Sequence, residues 1–170
     1  MCSGRSFERH YTDPTGHVIA RSESVKDLGI VMSDDGRFGE HIAGVVRAAK
    51  MKLGWILRTF KTREETPLMF LYSSLVRPLL EYSCQLWNPS RVGEIQQLES
   101  VQRSFTARIR STGHLDYWQR LARMDLYSLQ RRRERYIIVY VFKVIEGLVP
   151  NLGGTVHYSS EVSYKTRKAM

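Results

Sequence analysis

From residue 37 onwards apolar residues recur at steps of three and four, the period of helices that bury one face. Ile42, Val45, Val46, Ala49, Leu53, Ile56 and Phe60 predict a helix over about Phe38 to Phe60. A second helix is predicted from Thr66 as N-cap and Pro67 as first helical residue. Its apolar stripe is Leu71, Leu75, Leu79 and Tyr82, and Pro78, which removes a backbone donor and clashes with the preceding turn, is expected to kink or divide it. Trp87 closes the segment and Asn88-Pro89 ends it. Val92, Ile95, Leu98, Val101, Phe105 and Ile109 predict a third helix, stopped by Thr112-Gly113. Asp116 is placed to cap a short helix carrying Tyr117, Trp118 and Leu121, and residues 126–148 read as a final long helix.

The flanks read differently. Phe7 to Met32 suits strands and turns, with a hairpin over Asp13-Pro14-Thr15-Gly16 and a third strand from Leu28 to Met32. Beyond Pro150 a loop, a short strand near Val156 to Tyr158 and a basic tail are expected. The predicted fold is therefore mainly α with a small N-terminal antiparallel β element, divided as 1–36, 37–148 and 149–170.

Charge narrows the choice of partner. The 170 residues hold 26 Lys and Arg against 17 Asp and Glu, a net charge of +9. This favours a polyanion, with nucleic acid ahead of an anionic membrane surface. No apolar run approaches the roughly 20 residues that span a bilayer, and Met-Cys-Ser-Gly-Arg-Ser has no apolar signal core. A soluble, intracellular protein with no membrane partner is expected. Cys2 and Cys84 lie in no metal-ligand spacing, so free thiols are expected, Cys84 as a small core residue.

The candidate chemistry is binding rather than catalysis. His10 and His17 flank the first turn without a third ligand, so no metal site is assigned. Ser33-Asp34-Asp35-Gly36 reads as a turn entering the first helix, not as half of a two-metal carboxylate site. There is no phosphate-binding loop and no nucleophile with its base, and no catalytic residue is assigned; Glu81 near Arg77 reads as a local ion pair. At about 100° per residue, Arg47, Lys50, Arg58 and Lys61 share an arc of roughly 80° well separated from the apolar stripe, with Gly54 inside it. Such a track suits phosphates, although from the residues alone solvated charge on an exposed face, with Gly54 there for close packing, accounts for it better. Arg63 extends it. Tyr117 and Trp118 beside Arg120 and Arg123 suit either the core or base stacking. Arg131, Arg132, Arg133 and Arg135 lie where the helix dipole disfavours cations, which requires an acidic side chain or a phosphate to offset it. Tyr136 to Ile145, with only Lys143 charged, is expected to be buried in the domain or against a partner.

Ser-Leu-Val-Arg-Pro-Leu-Leu-Glu-Tyr followed by Leu-Trp-Asn-Pro, within residues 71–89, resembles the region after the polymerase palm in reverse transcriptases of jockey-like non-LTR retrotransposons. Lys-Asp-Leu-Gly-Ile at 26–30 and Glu40-His41-Ile42 precede it in the family's order. Val101-Gln102-Arg103 with Phe105, Tyr117, Arg120-Leu121, Ser128-Leu129 and Arg131-Arg132-Arg133 follow it. The resemblance covers roughly residues 25–150. It implies a helical, thumb-like bundle and linker that holds an RNA or DNA template-primer while the palm, absent here, adds nucleotides. It tips the reading of the basic residues towards nucleic acid, with Arg47, Lys50, Gly54, Arg58, Lys61, Arg63, Arg131, Arg132 and Arg133 as candidates. The parent polymerase would use magnesium; no cofactor is expected in this segment. The remaining partner is the rest of the polymerase. On this reading the chain is a fragment of a retrotransposon reverse transcriptase, inactive alone. The alternatives are a helical protein-interaction module and a relic of a mobile element.

Overall fold

The computed structural model describes residues 11–149, with Ser111 described by its backbone alone. The protein is mainly helical, with one two-stranded antiparallel sheet near its N-terminus. It divides into two compact units, Met1–Ile42 and Ala43–Met170. His10, Cys2, the expected strand near Val156 and the basic tail lie outside the described residues.

In the first unit, Asp13 organises the turn predicted at 13–16. Its carboxylate accepts the backbone N–H groups of Thr15 and His17, both at 2.9 Å, and the Thr15 hydroxyl. Those bonds, the Thr15 hydroxyl first, hold its pKa below the usual carboxylate value. Among the described residues the flanking chain makes one bridge, Thr12 to Val18. A second hairpin pairs β1 (Ser24–Asp27) with β2 (Ile30–Ser33). Leu28 and Gly29 form its two-residue loop with φ of +46° and +87°, the left-handed pair that matches strand twist. The strand expected from Leu28 is thus corrected: Leu28 and Gly29 turn, and the ladder starts at Ile30. The Ser33–Gly36 turn follows as predicted, closed by Gly36 N–H donating to Ser33 O at 2.9 Å with Gly36 at φ +72°. Asp34 accepts from Arg21 at 2.9 Å and Asp35 from the Arg37 amide at 2.9 Å.

Helix α1 spans Gly39–Thr59. Ile42, Val46, Ala49, Leu53 and Ile56 are buried on its predicted face, whereas Phe60, just past the end, is 37% exposed and packs edge-on to Trp55. The second unit continues with α2 (Glu65–Leu71), a π-helical turn (Tyr72–Val76) and α3 (Arg77–Glu81) as one uninterrupted helical path. Three features differ from the sequence reading. The N-cap position is Glu64, not Thr66, and makes no side-chain cap bond. Pro78 produces a widened turn instead of a break: Arg77 N–H reaches Tyr72 O, one residue further than in an α-helix. This relieves the crowding that the proline ring imposes on the preceding turn.

The third difference is the buried stripe. It is Leu68, Tyr72, Val76 and Leu80, each at 0% exposure, while Leu75 and Leu79 are 37% and Tyr82 56% exposed. In an ideal α-helix a step of four overshoots a full turn by about 40°, so three such steps would carry the stripe about 120° off the core. The π turn takes up the extra residue and keeps the stripe facing inward.

Tyr82 leaves helical geometry, Ser83 adopts φ +48°, and α4 (Cys84–Trp87) buries both its terminal residues. Helix α5 (Val92–Thr106) supplies Leu98, Val101 and Phe105 to the core; Ile109 is also buried, but beyond the helix end. Helix α6 (Tyr117–Arg123) starts at the predicted Asp116 with a full capping box to Gln119. Helix α7 (Leu129–Ile145) is capped by Ser128, whose hydroxyl accepts Arg131 N–H at 3.2 Å.

A buried polar network ties these helices together. Tyr72 stacks on Phe105 with ring centroids 4.2 Å apart, and its hydroxyl donates to Gln102 at 3.0 Å. Gln102 donates in turn to the Tyr127 carbonyl at 2.9 Å and the Tyr117 hydroxyl at 3.2 Å. Tyr117 donates to the Glu99 carboxylate. Glu99 also accepts the first two backbone N–H groups of α7, Leu129 at 3.2 Å and Gln130 at 3.3 Å. Burial, before any neighbouring charge, pushes the phenols of Tyr72 and Tyr117 well above their ordinary pKa.

Candidate nucleic-acid interface

The nine candidate residues separate into two groups by what surrounds them. Arg47, Lys50 and Arg58 stand exposed on the face of α1 away from its buried stripe, and Lys61 is exposed two residues past the helix end. Among the described residues none of these four pairs with a carboxylate. Gly54 is half-buried within the same arc, and a β-carbon there would sit 3.7 Å from Arg58 Nη1, an ordinary contact. The Arg58 side chain, not bare backbone, therefore covers the middle of the track.

Tertiary packing adds what periodicity did not reveal. Arg47 and Lys50, with Ala43, Val46 and Met51, line an open groove of about 530 Å³ whose far side is Gln97 of α5. Met51 is 64% and Trp55 47% exposed, and Lys52 lies 5.7 Å from the Trp55 ring centroid. The signal for Met51 and Trp55 was present in the sequence as large apolar residues on α1 outside its buried stripe. Gln97 carried no signal, because only the packing of α5 beside α1 brings it there.

The other candidates serve the fold. The Arg63 guanidinium donates to the carbonyls of Leu57, Phe60 and Thr62 at 2.9, 2.7 and 2.8 Å, closing the end of α1 where cations complement the dipole. Arg132 forks onto Glu81 at 2.6 and 3.4 Å and onto the Tyr136 hydroxyl at 3.0 Å, and the Glu81 bond raises its pKa. Glu81 also lies 3.9 Å from Arg77, so the expected local pair is the weaker half of a three-residue cluster. Arg133 is 2% exposed, its guanidinium 4.3 Å over the Trp87 ring, and burial lowers its pKa while a bond to Cys84 opposes the shift. A group so enclosed cannot reach a phosphate. Arg63, Arg132 and Arg133 are thus engaged within the fold, Arg133 enclosed and the other two half-buried. Arg131 stays exposed, with its guanidinium 4.9 Å from the Tyr127 ring.

The dipole conflict at the start of α7 is resolved within the protein. Glu99 places a carboxylate on the first amides of α7 and Glu81 neutralises Arg132, so no phosphate is required to explain the arginine run. Tyr117 is a core residue bonded to Glu99, while Trp118 is 65% exposed. Among the described residues no group of three or more His, Cys, Asp or Glu side chains is arranged to hold a metal ion. No helix there is long and apolar enough to cross a membrane.

No family model matches the chain, and no solved structure matches it. An uncharacterized protein of Caenorhabditis elegans is 29% identical over 126 residues, which are 72% of this chain. The match spans 64% of that relative's length.

Proposed function

We propose that the chain binds nucleic acid through the α1 track and corresponds to the non-catalytic thumb and post-palm linker of a retrotransposon reverse transcriptase. The observation that carries the binding reading is the set of cations without carboxylate partners, Arg47, Lys50, Arg58 and Lys61, exposed along and just past a helix whose separate stripe of Ile42, Val46, Ala49, Leu53 and Ile56 is buried. The polymerase assignment adds the ordered family motifs at residues 26–30, 71–89 and 101–133 to that surface.

The geometry suits a phosphate backbone. From Arg47 to Arg58 the helix advances about 16 Å at 1.5 Å per residue, while one strand of a duplex presents a phosphate about every 3.4 Å of axis. The track thus runs alongside about five phosphates and has side chains to neutralise three or four. Phosphate contacts of this kind position a duplex without reading its sequence, which suits a polymerase that must hold any template-primer. On this reading the chain positions the duplex and performs no proton or phosphoryl transfer itself.

Fluorescence anisotropy with a labelled RNA–DNA hybrid, titrated at increasing salt, tests it. Three or four neutralised phosphates give a log–log slope of roughly −3. No binding at low salt, or binding indifferent to salt, rejects the proposal.

A further inference from the structure

We infer that a second copy of this chain covers the outer face of α7, the two helices pairing antiparallel. The observation is an uncovered apolar surface: Ile138 is 68%, Phe142 56%, Ile145 47% and Val141 37% exposed. At about 100° per residue these four share an arc of roughly 100°, well away from Leu129, Arg133 and Val144, which face the core. With large side chains presenting about 150–250 Å² each when fully exposed, these fractions leave on the order of 400 Å² of the four uncovered. That is within the roughly 300–600 Å² of the largest patch on a monomer, which is often functional, and about half of the roughly 800 Å² per partner of a standard interface, the area of a weak, reversible pair.

The spacing of the four is self-complementary. When two copies of α7 run antiparallel about a two-fold axis between positions 141 and 142, Ile138 of one meets Ile145 of the other and Val141 meets Phe142. An interface between identical copies requires this reciprocity. The flanks agree. Arg135 and Glu146 are both exposed, lie on the same side of the arc, and among the described residues form no ion pair. The antiparallel register brings Arg135 of each copy beside Glu146 of the other. Parallel pairing would instead set the arginine-rich first halves against each other, which like charges oppose.

Sedimentation equilibrium of the 170-residue chain without nucleic acid, from about 1 to 100 µM, tests the pairing. A monomer–dimer equilibrium is expected. Ile138→Asp with Phe142→Asp is expected to raise its Kd at least about tenfold with an unchanged circular dichroism spectrum, because both side chains are already in water. Arg135→Glu and Glu146→Arg, each reversing a charge twice across the axis, are expected to weaken dimerisation by on the order of tenfold, and their combination to restore it to within about threefold. A monomer throughout, association that Ile138→Asp/Phe142→Asp leaves intact, or charge reversals whose effects simply accumulate would each overturn the inference. These outcomes are independent of whether the α1 track binds nucleic acid.

Discussion

Glu99 shows how one side chain decides what a neighbouring cluster of charges is for. Buried in α5, it accepts the first two amides of α7 and the hydroxyl of Tyr117, and so supplies the negative charge that the arginine-rich start of α7 demands. Glu99→Gln keeps the shape but removes the charge and turns one acceptor towards the wrong groups. It is expected to destabilise the fold by about 1–3 kcal/mol in urea denaturation; an unchanged midpoint would mean that the carboxylate is dispensable. His41 makes a second residue-level prediction. It is buried, its Nδ1 accepts Val31 N–H at 3.4 Å, and burial lowers its pKa below the usual 6.5. The unfolded chain takes up that proton first as pH falls. The histidine's contribution is therefore complete above about pH 6.5 and is lost as pH drops towards the lowered folded value. Hydrogen exchange at the Val31 amide, corrected for intrinsic pH dependence, is expected to show less protection at pH 5 than at pH 7. Equal protection would contradict it.

At the scale of elements, the path from α2 to α3 is where sequence and structure part most clearly. Helical periodicity made two stripes available, and Leu71, Leu75, Leu79 and Tyr82 read as the more apolar one. The core took Leu68, Tyr72, Val76 and Leu80, a strict four-residue repeat that only a π turn can keep aligned. Because Pro78 was read as a kink or division of the helix, the compensating extra residue was not foreseen. Deleting Ser74, an exposed residue inside that turn, should rotate Val76 and Leu80 out of the core by about 100° and abolish cooperative unfolding. Ser74→Ala should shift stability by no more than about 0.5 kcal/mol. Comparable stability of the two variants would show that the π turn is incidental. Elsewhere local signals sufficed: the α1 stripe, the Asp116 capping box and the Ser33–Gly36 turn are each specified by a few neighbouring residues. What periodicity could not supply was long-range pairing, such as Arg132 with Glu81 or Arg133 on Trp87. Those contacts engage two of the candidate arginines within the fold, and local bonds to the end of α1 engage Arg63.

For the molecule as a whole, redistribution of the positive charge sharpens the functional proposal. The net charge of +9 favoured a polyanion from the start but did not say where it would lie. Arg63, Arg132 and Arg133 are spent on a helix end, a carboxylate and a tryptophan ring, while the cations of α1 remain in water with the groove beside Gln97 next to them. The most direct test is the salt dependence of RNA–DNA hybrid binding in the Arg47→Gln/Lys50→Gln/Arg58→Gln chain, measured beside Arg132→Gln. Removing three of the four track cations, with Lys61 left, is expected to bring the log–log slope from roughly −3 to about −1 or shallower, with Arg132→Gln leaving it unchanged. A triple variant that binds with the original slope would contradict the account.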